Sequence, residues 1–261
     1  MTSRPIVATR PYTVVVLVTL GLIVLLGVGG TVIYLAQLPL SSPVALVFTP
    51  VAIALIGWAT LTRRWGALGF GAPAGIGADR MRWLPVVLPM IVVLVLVVAT
   101  IGGVADQPAT AWLGLLGFVL LVGFVEETLF RSVFLAILAP KGHLVAVLVS
   151  TAAFALAHAA NLLGGQDLAS TLGQIAFAAA FGLFAACVFL RTGSIWPTIA
   201  FHALYDLVQL ARLNQEPLAV DGVMTLVLLA GALWLWTGIR AADRATDPQA
   251  GTAPAVAGRA R

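Results

Sequence analysis

The 261-residue sequence contains a single cysteine, Cys187, and only 9% charged residues. One cysteine excludes an internal disulfide, and with it the small secreted scaffolds that depend on such cross-links. The scarcity of charge goes with 61% hydrophobic residues and a mean hydropathy of +1.07, whereas soluble domains carry about 25% charged and 45 to 50% apolar residues. A water-soluble globular domain is therefore excluded. So is a disordered chain, which is defined by low apolar content. No short period recurs that would indicate a collagen-like repeat. A pI near 10.0 raises nucleic acid as a partner, but no basic stripe with interleaved aromatics is present, and none is expected to bind.

Long apolar runs are what the sequence has in abundance. A helix crossing the hydrocarbon needs about 20 mostly apolar residues. Eight such runs are separated by charges or by Pro and Gly clusters, at 13–36, 44–61, 84–104, 110–139, 144–160, 170–190, 194–212 and 222–240. The first exceeds the roughly 7 to 15 apolar residues of a secretory signal and has no small-x-small cleavage site after it, so it reads as a retained span. The expected fold is all-α, a polytopic transmembrane bundle of about eight spans covering 13–240. A cytoplasmic segment, 1–12, precedes it. A tail at 241–261, rich in Ala, Gly, Pro, Thr and Arg, is expected to be disordered and cytoplasmic. The connection at 62–83, with Gly66, Gly69, Gly71, Pro73, Gly75 and Gly77, reads as a cytoplasmic surface segment without a phosphate-loop pattern.

The distribution of Lys and Arg orients the bundle, because cytoplasmic loops collect positive charge. With the N-terminus inside, the inner segments hold Arg4, Arg10, Arg63, Arg64, Arg80, Arg82, Lys141, Arg191, Arg240, Arg244, Arg259 and Arg261. The outer connections hold only Arg212, together with Asp106, Asp167, Glu216 and Asp221. The basic pI is thus explained by topology. The lipid bilayer is the implied partner, and both ends of the chain are expected on the cytoplasmic side of a bacterial inner or plasma membrane.

Ionisable groups at membrane depth are costly and mark buried pairs or functional sites. Six occur: Glu126, Glu127 and Arg131 on the fourth run, His158 on the fifth, and His202 and Asp206 on the seventh. At about 100° per residue, Glu127 and Arg131 share one helix face in the favourable acid-before-base order. Glu126 points about 100° away, which leaves it facing a cavity. His202 and Asp206 also share a face, as do Phe154 and His158. Counted along its own run, Glu126 falls nearer the inner end and His158 nearer the outer end. His143, beside Lys141, reads as a solvated turn residue, Phe154 as packing, and Asn161 as either an orienting partner of His158 or a helix cap. Gly114, Gly117 and Gly123 read as positions where helices approach closely.

These residues form three patterns: E-E-x-x-x-R at Glu126, Glu127 and Arg131, F-x-x-x-H at Phe154 and His158, and H-x-x-x-D at His202 and Asp206. Their order on separate apolar segments resembles the CPBP family, also called Abi, of CAAX prenyl proteases and bacteriocin-processing or immunity proteins. The resemblance covers about 110–212. It implies an intramembrane endopeptidase in which Glu126 and His158 hold and deprotonate the attacking water. His202 and Asp206 would stabilise the oxyanion, the last position being Asn in many members. Glu127 and Arg131 match supporting positions.

Peptide hydrolysis independently requires an activated water, a proton donor for the amine, and donors facing the tetrahedral oxygen. An ionised Asp206 would repel that oxygen, so it is either protonated or orients His202 as donor. Glu126, His158, His202 and Asp206 are also the set that would hold zinc. H-E-x-x-H is absent, and the preferred reading has no cofactor. The implied substrate is a membrane-associated or lipidated protein or peptide. The alternatives are a non-catalytic immunity or scaffold protein and, less favoured, a proton-coupled transporter, against which no inverted repeat is visible.

Overall fold

The computed structural model describes residues 9–37, 47–73, 80–214 and 218–246. The helices are α1 (Pro11–Ala36), α2 (Thr49–Leu61), α3 (Arg80–Thr100), α4 (Ala109–Glu127), α5 (Phe134–Leu138), α6 (His143–Ala157), α7 (Ala160–Leu163), α8 (Leu168–Thr192), α9 (Trp196–Ala211) and α10 (Leu218–Thr246). Among the described residues the only β pairing is an isolated bridge between Val104 and Arg212. Helices dominate because a bilayer offers the backbone no water, and a helix satisfies its own N–H and C=O groups.

Each of the eight expected runs contains a helix, although the third stops being helical at Thr100 and the seventh is helical only from Trp196 to Ala211. Six segments are long and apolar enough to cross a membrane: Pro11–Ala36, Met81–Thr100, Ala109–Lys141, His143–Leu163, Leu168–Thr192 and Leu218–Arg244. The other two are shorter. α2 has 13 residues and α9 has 16, about 20 and 24 Å at 1.5 Å per residue, against a hydrocarbon core of about 30 Å. Residues 44–46 of the second run lie outside the described set. α10 continues to Thr246, into the stretch expected to be tail, while 1–8 and 247–261 lie outside the described residues.

The bundle centres on α8, which packs between α6 and α10, while α9 lies against α4 and α10 against α3. Phe184 and Val188 on α8 and Met224 and Leu228 on α10 are buried in one core with Phe130 and Phe134. Leu113, Leu148, Leu172, Leu226 and Leu233 project outward and are more than half exposed, as lipid-facing side chains of a span are. Of the three glycines expected between helices, only Gly123 is placed so. A Cβ there would stand 3.3 Å from the Ile199 carbonyl oxygen and 3.6 Å from the Ala203 nitrogen, whereas Gly114 and Gly117 face open space.

The 62–83 connection differs from expectation, because part of it is tied into the bundle rather than lying on its surface. Leu68 is buried, and its carbonyl accepts from the Ser132 hydroxyl at 2.6 Å. The Gly69 carbonyl accepts the Ile195 N–H at 2.9 Å, Phe70 that of the Trp196 indole at 3.1 Å, and Gly71 the Ser194 hydroxyl at 2.9 Å. Apolar Leu68 and Phe70 supply the physical reason, since Phe70 packs against Trp65, Phe124 and Trp196. Gly69, at φ 81°, makes the turn, and Phe189 and the Gly193 carbonyl occupy the space a side chain would need. The segment therefore closes the bundle at the end where α9 begins.

The close approach at Gly123 sets how tightly α4 meets α9. Replacing Gly123 by Val is expected to push the two apart and cost about 1 to 3 kcal/mol, as overpacking does. A lowered unfolding temperature in detergent checks this, and an unchanged one would contradict the packing described.

Candidate active site

Glu126 and Glu127 end α4, where the helix continues through a π-helical turn, Thr128–Val133, into α5 and a 3₁₀ turn at Ala139–Lys141. Single π turns inside α-helices occur frequently at functional sites. Every residue from Val125 to Ser132 is buried, so the acidic pair and Arg131 are carried into the bundle interior.

Glu126 and His158 lie equally far along the chain from the hairpin turn at Gly142. Glu126 precedes Gly142 by 16 positions and His158 follows it by 16. Residues equidistant from the turn of an antiparallel helix pair lie level. The opposite depths expected from the separate runs came from measuring each helix against its own ends, and Ala109–Lys141 has 33 residues against 21 in His143–Leu163. Phe130 and Phe154, each 12 positions from Gly142, confirm the register with ring centroids 5.2 Å apart.

Glu127 is the most engaged group. Its Oε2 lies 3.1 Å from Arg131 Nε, with both side chains fully buried. Its Oε1 is 2.9 Å from His202 Nδ1 on α9. The Arg131 pairing follows the helical spacing read from sequence, whereas the bond to His202 joins positions 75 apart and was not foreseen. The other ring nitrogen, His202 Nε2, stands 3.4 Å from Asp206 Oδ2 and 3.8 Å from Glu126 Oε2. One imidazole thus touches three carboxylates. Since carboxylates only accept, the arrangement suits a ring that donates from both nitrogens.

Exposure rises in one direction across this cluster. Arg131 and Glu127 are fully buried, the His202 side chain is 7% exposed, Glu126 12% and Asp206 26%. The polar site is accordingly sealed at Arg131 and opens at Asp206, toward the Ala211 end of α9. At that end an apolar groove of about 430 Å³ is lined by Ala109, Trp112, Leu113, Leu116 and Leu207.

His158 is positioned by a break in its helix. Its backbone N–H donates to Ala155 at 3.2 Å rather than to Phe154. The carbonyl of Phe154 accepts instead from the ring, with His158 Nδ1 at 3.0 Å. Holding the proton on Nδ1 leaves Nε2 of the neutral ring as an acceptor. Asn161 neither orients this ring nor caps its helix with its side chain, because its amide donates to Gln174 Oε1 at 2.7 Å. His143 is exposed, as expected of a turn residue, and pairs with Asp243 at 3.1 Å.

Among the described residues no group of three or more His, Cys, Asp or Glu has the arrangement of a metal site. The Nδ1 of His202 bonds Glu127 and that of His158 bonds a backbone carbonyl, which leaves the Nε2 of each ring directed elsewhere.

The six polar residues fall within a segment, 108–208, that matches the family described as type II CAAX prenyl endopeptidase Rce1-like. The Rce1-like match spans 101 of the chain's 261 residues. The family's description is that of a CAAX prenyl endopeptidase, and the apolar helices are those of an integral membrane protein. Neither the curated proteins nor the solved structures compared with the chain gave a match. The matched segment contains α4 to α9 almost entire, so the family match and the polar cluster coincide.

Removing one partner of a buried ion pair strands the other. Arg131→Met is expected to destabilise the protein by about 3 to 5 kcal/mol. The double variant Arg131→Met/Glu127→Gln should recover part of that loss in detergent unfolding experiments. An additive double variant would show that the two charges do not depend on each other.

Proposed function

We propose that the protein is an intramembrane endopeptidase that hydrolyses a peptide bond in a membrane-associated or lipidated protein or peptide, with water activated by Glu126 and His158. The observation that carries this reading is the Glu126 carboxylate beside His202 Nε2 inside a segment matched by a CAAX endopeptidase family. The apolar groove next to Asp206 suits the apolar part of such a substrate. The basic segments at one side of the bundle support a location in a bacterial plasma membrane with both ends of the chain cytoplasmic.

In this mechanism Glu126 accepts a proton from water, assisted by the acceptor nitrogen of His158, while the water oxygen attacks the scissile carbonyl carbon. The C=O bond becomes a C–O⁻, which takes the N–H of His202 Nε2. Glu127 holds the far side of that ring through Nδ1, as the orienting carboxylate does in other hydrolytic triads. Asp206 holds the same Nε2–H until the developing oxygen displaces it, so it works as an ionised orienting group rather than as an acid. The proton on Glu126 then passes to the amide nitrogen, the C–N bond breaks, and a carboxylic acid and an amine leave. No metal is required at any step.

Two outcomes test this. Membrane peptides and processed termini should show, by mass spectrometry, a cleavage that is present with the wild type and lost with Glu126→Gln expressed at equal level. His158→Gln should reduce it by about 10²-fold or more. Identical peptide sets from folded wild type and Glu126→Gln would assign the cluster to a structural or scaffold role. Treatment of purified protein with excess EDTA or phenanthroline should leave cleavage unchanged, whereas loss restored by zinc would replace the water-only mechanism.

A further inference from the structure

Phe154 lies where the two arms of the site meet. The Arg131 guanidinium carbon sits 4.0 Å from the centre of its ring, close enough for a strong cation–π contact. Arg131 makes no hydrogen bond from Nε, Nη1 or Nη2. Its charge is therefore held by the Glu127 carboxylate on one side and by this ring on the other, with the Phe130 ring farther off at 5.9 Å. The same ring meets His158 edge-on at 4.9 Å and His202 at 6.1 Å, and the residue's own carbonyl accepts a hydrogen bond from His158 Nδ1–H. Phe130 and Phe181 wedge it at 5.2 and 6.0 Å. A Cβ on Gly182 would stand only 3.1 Å from its Cδ1, so the fit allows little displacement.

We infer that Phe154 is a positioning residue for the proposed hydrolysis: its electron-rich face holds the Arg131 cation, which fixes Glu127 and through it the donor His202. The inference rests on the reading of the site as proteolytic. It goes beyond packing, because an apolar side chain of equal volume would fill the space yet offer the guanidinium no negative face. The consequence is that kcat should follow the electrostatics of the ring at constant shape. KM should not follow it, since Phe154 is 2% exposed and does not reach the groove.

The test replaces Phe154 with mono-, di- and trifluorophenylalanine in full-length protein reconstituted in lipid nanodiscs. Progressive fluorination withdraws charge from the ring face with little change in size. The expected result is a graded fall in kcat, about tenfold or more across the series if the contact is desolvated, with KM within about twofold. Phe154→Leu should fall at least as far, and Gly182→Ala, which displaces the ring without altering its chemistry, should also lower kcat. Flat kcat through the fluorinated series, in protein whose wild type cleaves and whose Glu126→Gln variant does not, overturns the inference and leaves the protease reading intact. If the wild type shows no Glu126-dependent cleavage, the protease reading fails instead. The coupling is then read from ¹⁵N-histidine spectra, tractable with three histidines in the chain: His202 ring shifts that move with fluorination sustain it, and unmoved shifts overturn it.

Discussion

A carboxylate taken out of water into an apolar bundle costs several kcal/mol unless opposite charge and hydrogen bonds replace its hydration, and Glu127 is fully buried. The rest of the site follows from how that cost is met. Arg131, four residues on, supplies the charge, and His202 on α9 supplies the hydrogen bond. Because each partner uses a different oxygen, the carboxylate is fixed in orientation as well as neutralised. The imidazole held on one side of it must present its remaining nitrogen to Glu126 and Asp206.

Two features of the scaffold make this geometry available. The hairpin around Gly142 brings Phe130 against Phe154, with Glu126 and His158 each 16 positions from the turn. Gly123 lets α9 approach α4 until its Cβ position nearly touches the Ile199 carbonyl, which draws His202, three residues beyond Ile199, onto the acidic pair. The segment from Leu68 to Gly71 closes the end of the bundle below Arg131 through bonds to Ser132, Ser194, Ile195 and Trp196. Polar groups at the closed end face one another. Those at the open end, Asp206 above all, face outward.

Such a division suits hydrolysis inside a membrane. The chemistry needs a water and charged groups where the surroundings are apolar, and it also needs a way in for the substrate. Burial is deepest at Arg131 and Glu127 and least at Asp206, whose chain neighbour Leu207 lines the apolar groove. His158 joins from the break at the end of α6, where a carbonyl freed from the helical ladder fixes its tautomer. That break needs neither Pro nor Gly at the position. It is a change of hydrogen-bond partner within one turn.

What the sequence by itself determined is whatever depends on local spacing and on composition: the apolar runs that became helices, the Glu127 to Arg131 and His202 to Asp206 pairs four residues apart, and the six polar side chains too costly to bury without purpose. A 3.6-residue period carries that information along one helix and none between helices. Tertiary structure alone decided that Glu127 bonds His202 across 75 residues, that Asn161 turns to Gln174, that Phe154 lies over Arg131, and that Leu68 leaves its connection to enter the bundle. Each of these depends on which helix faces are brought together and how closely they can approach, and that is set by the packing of the whole bundle.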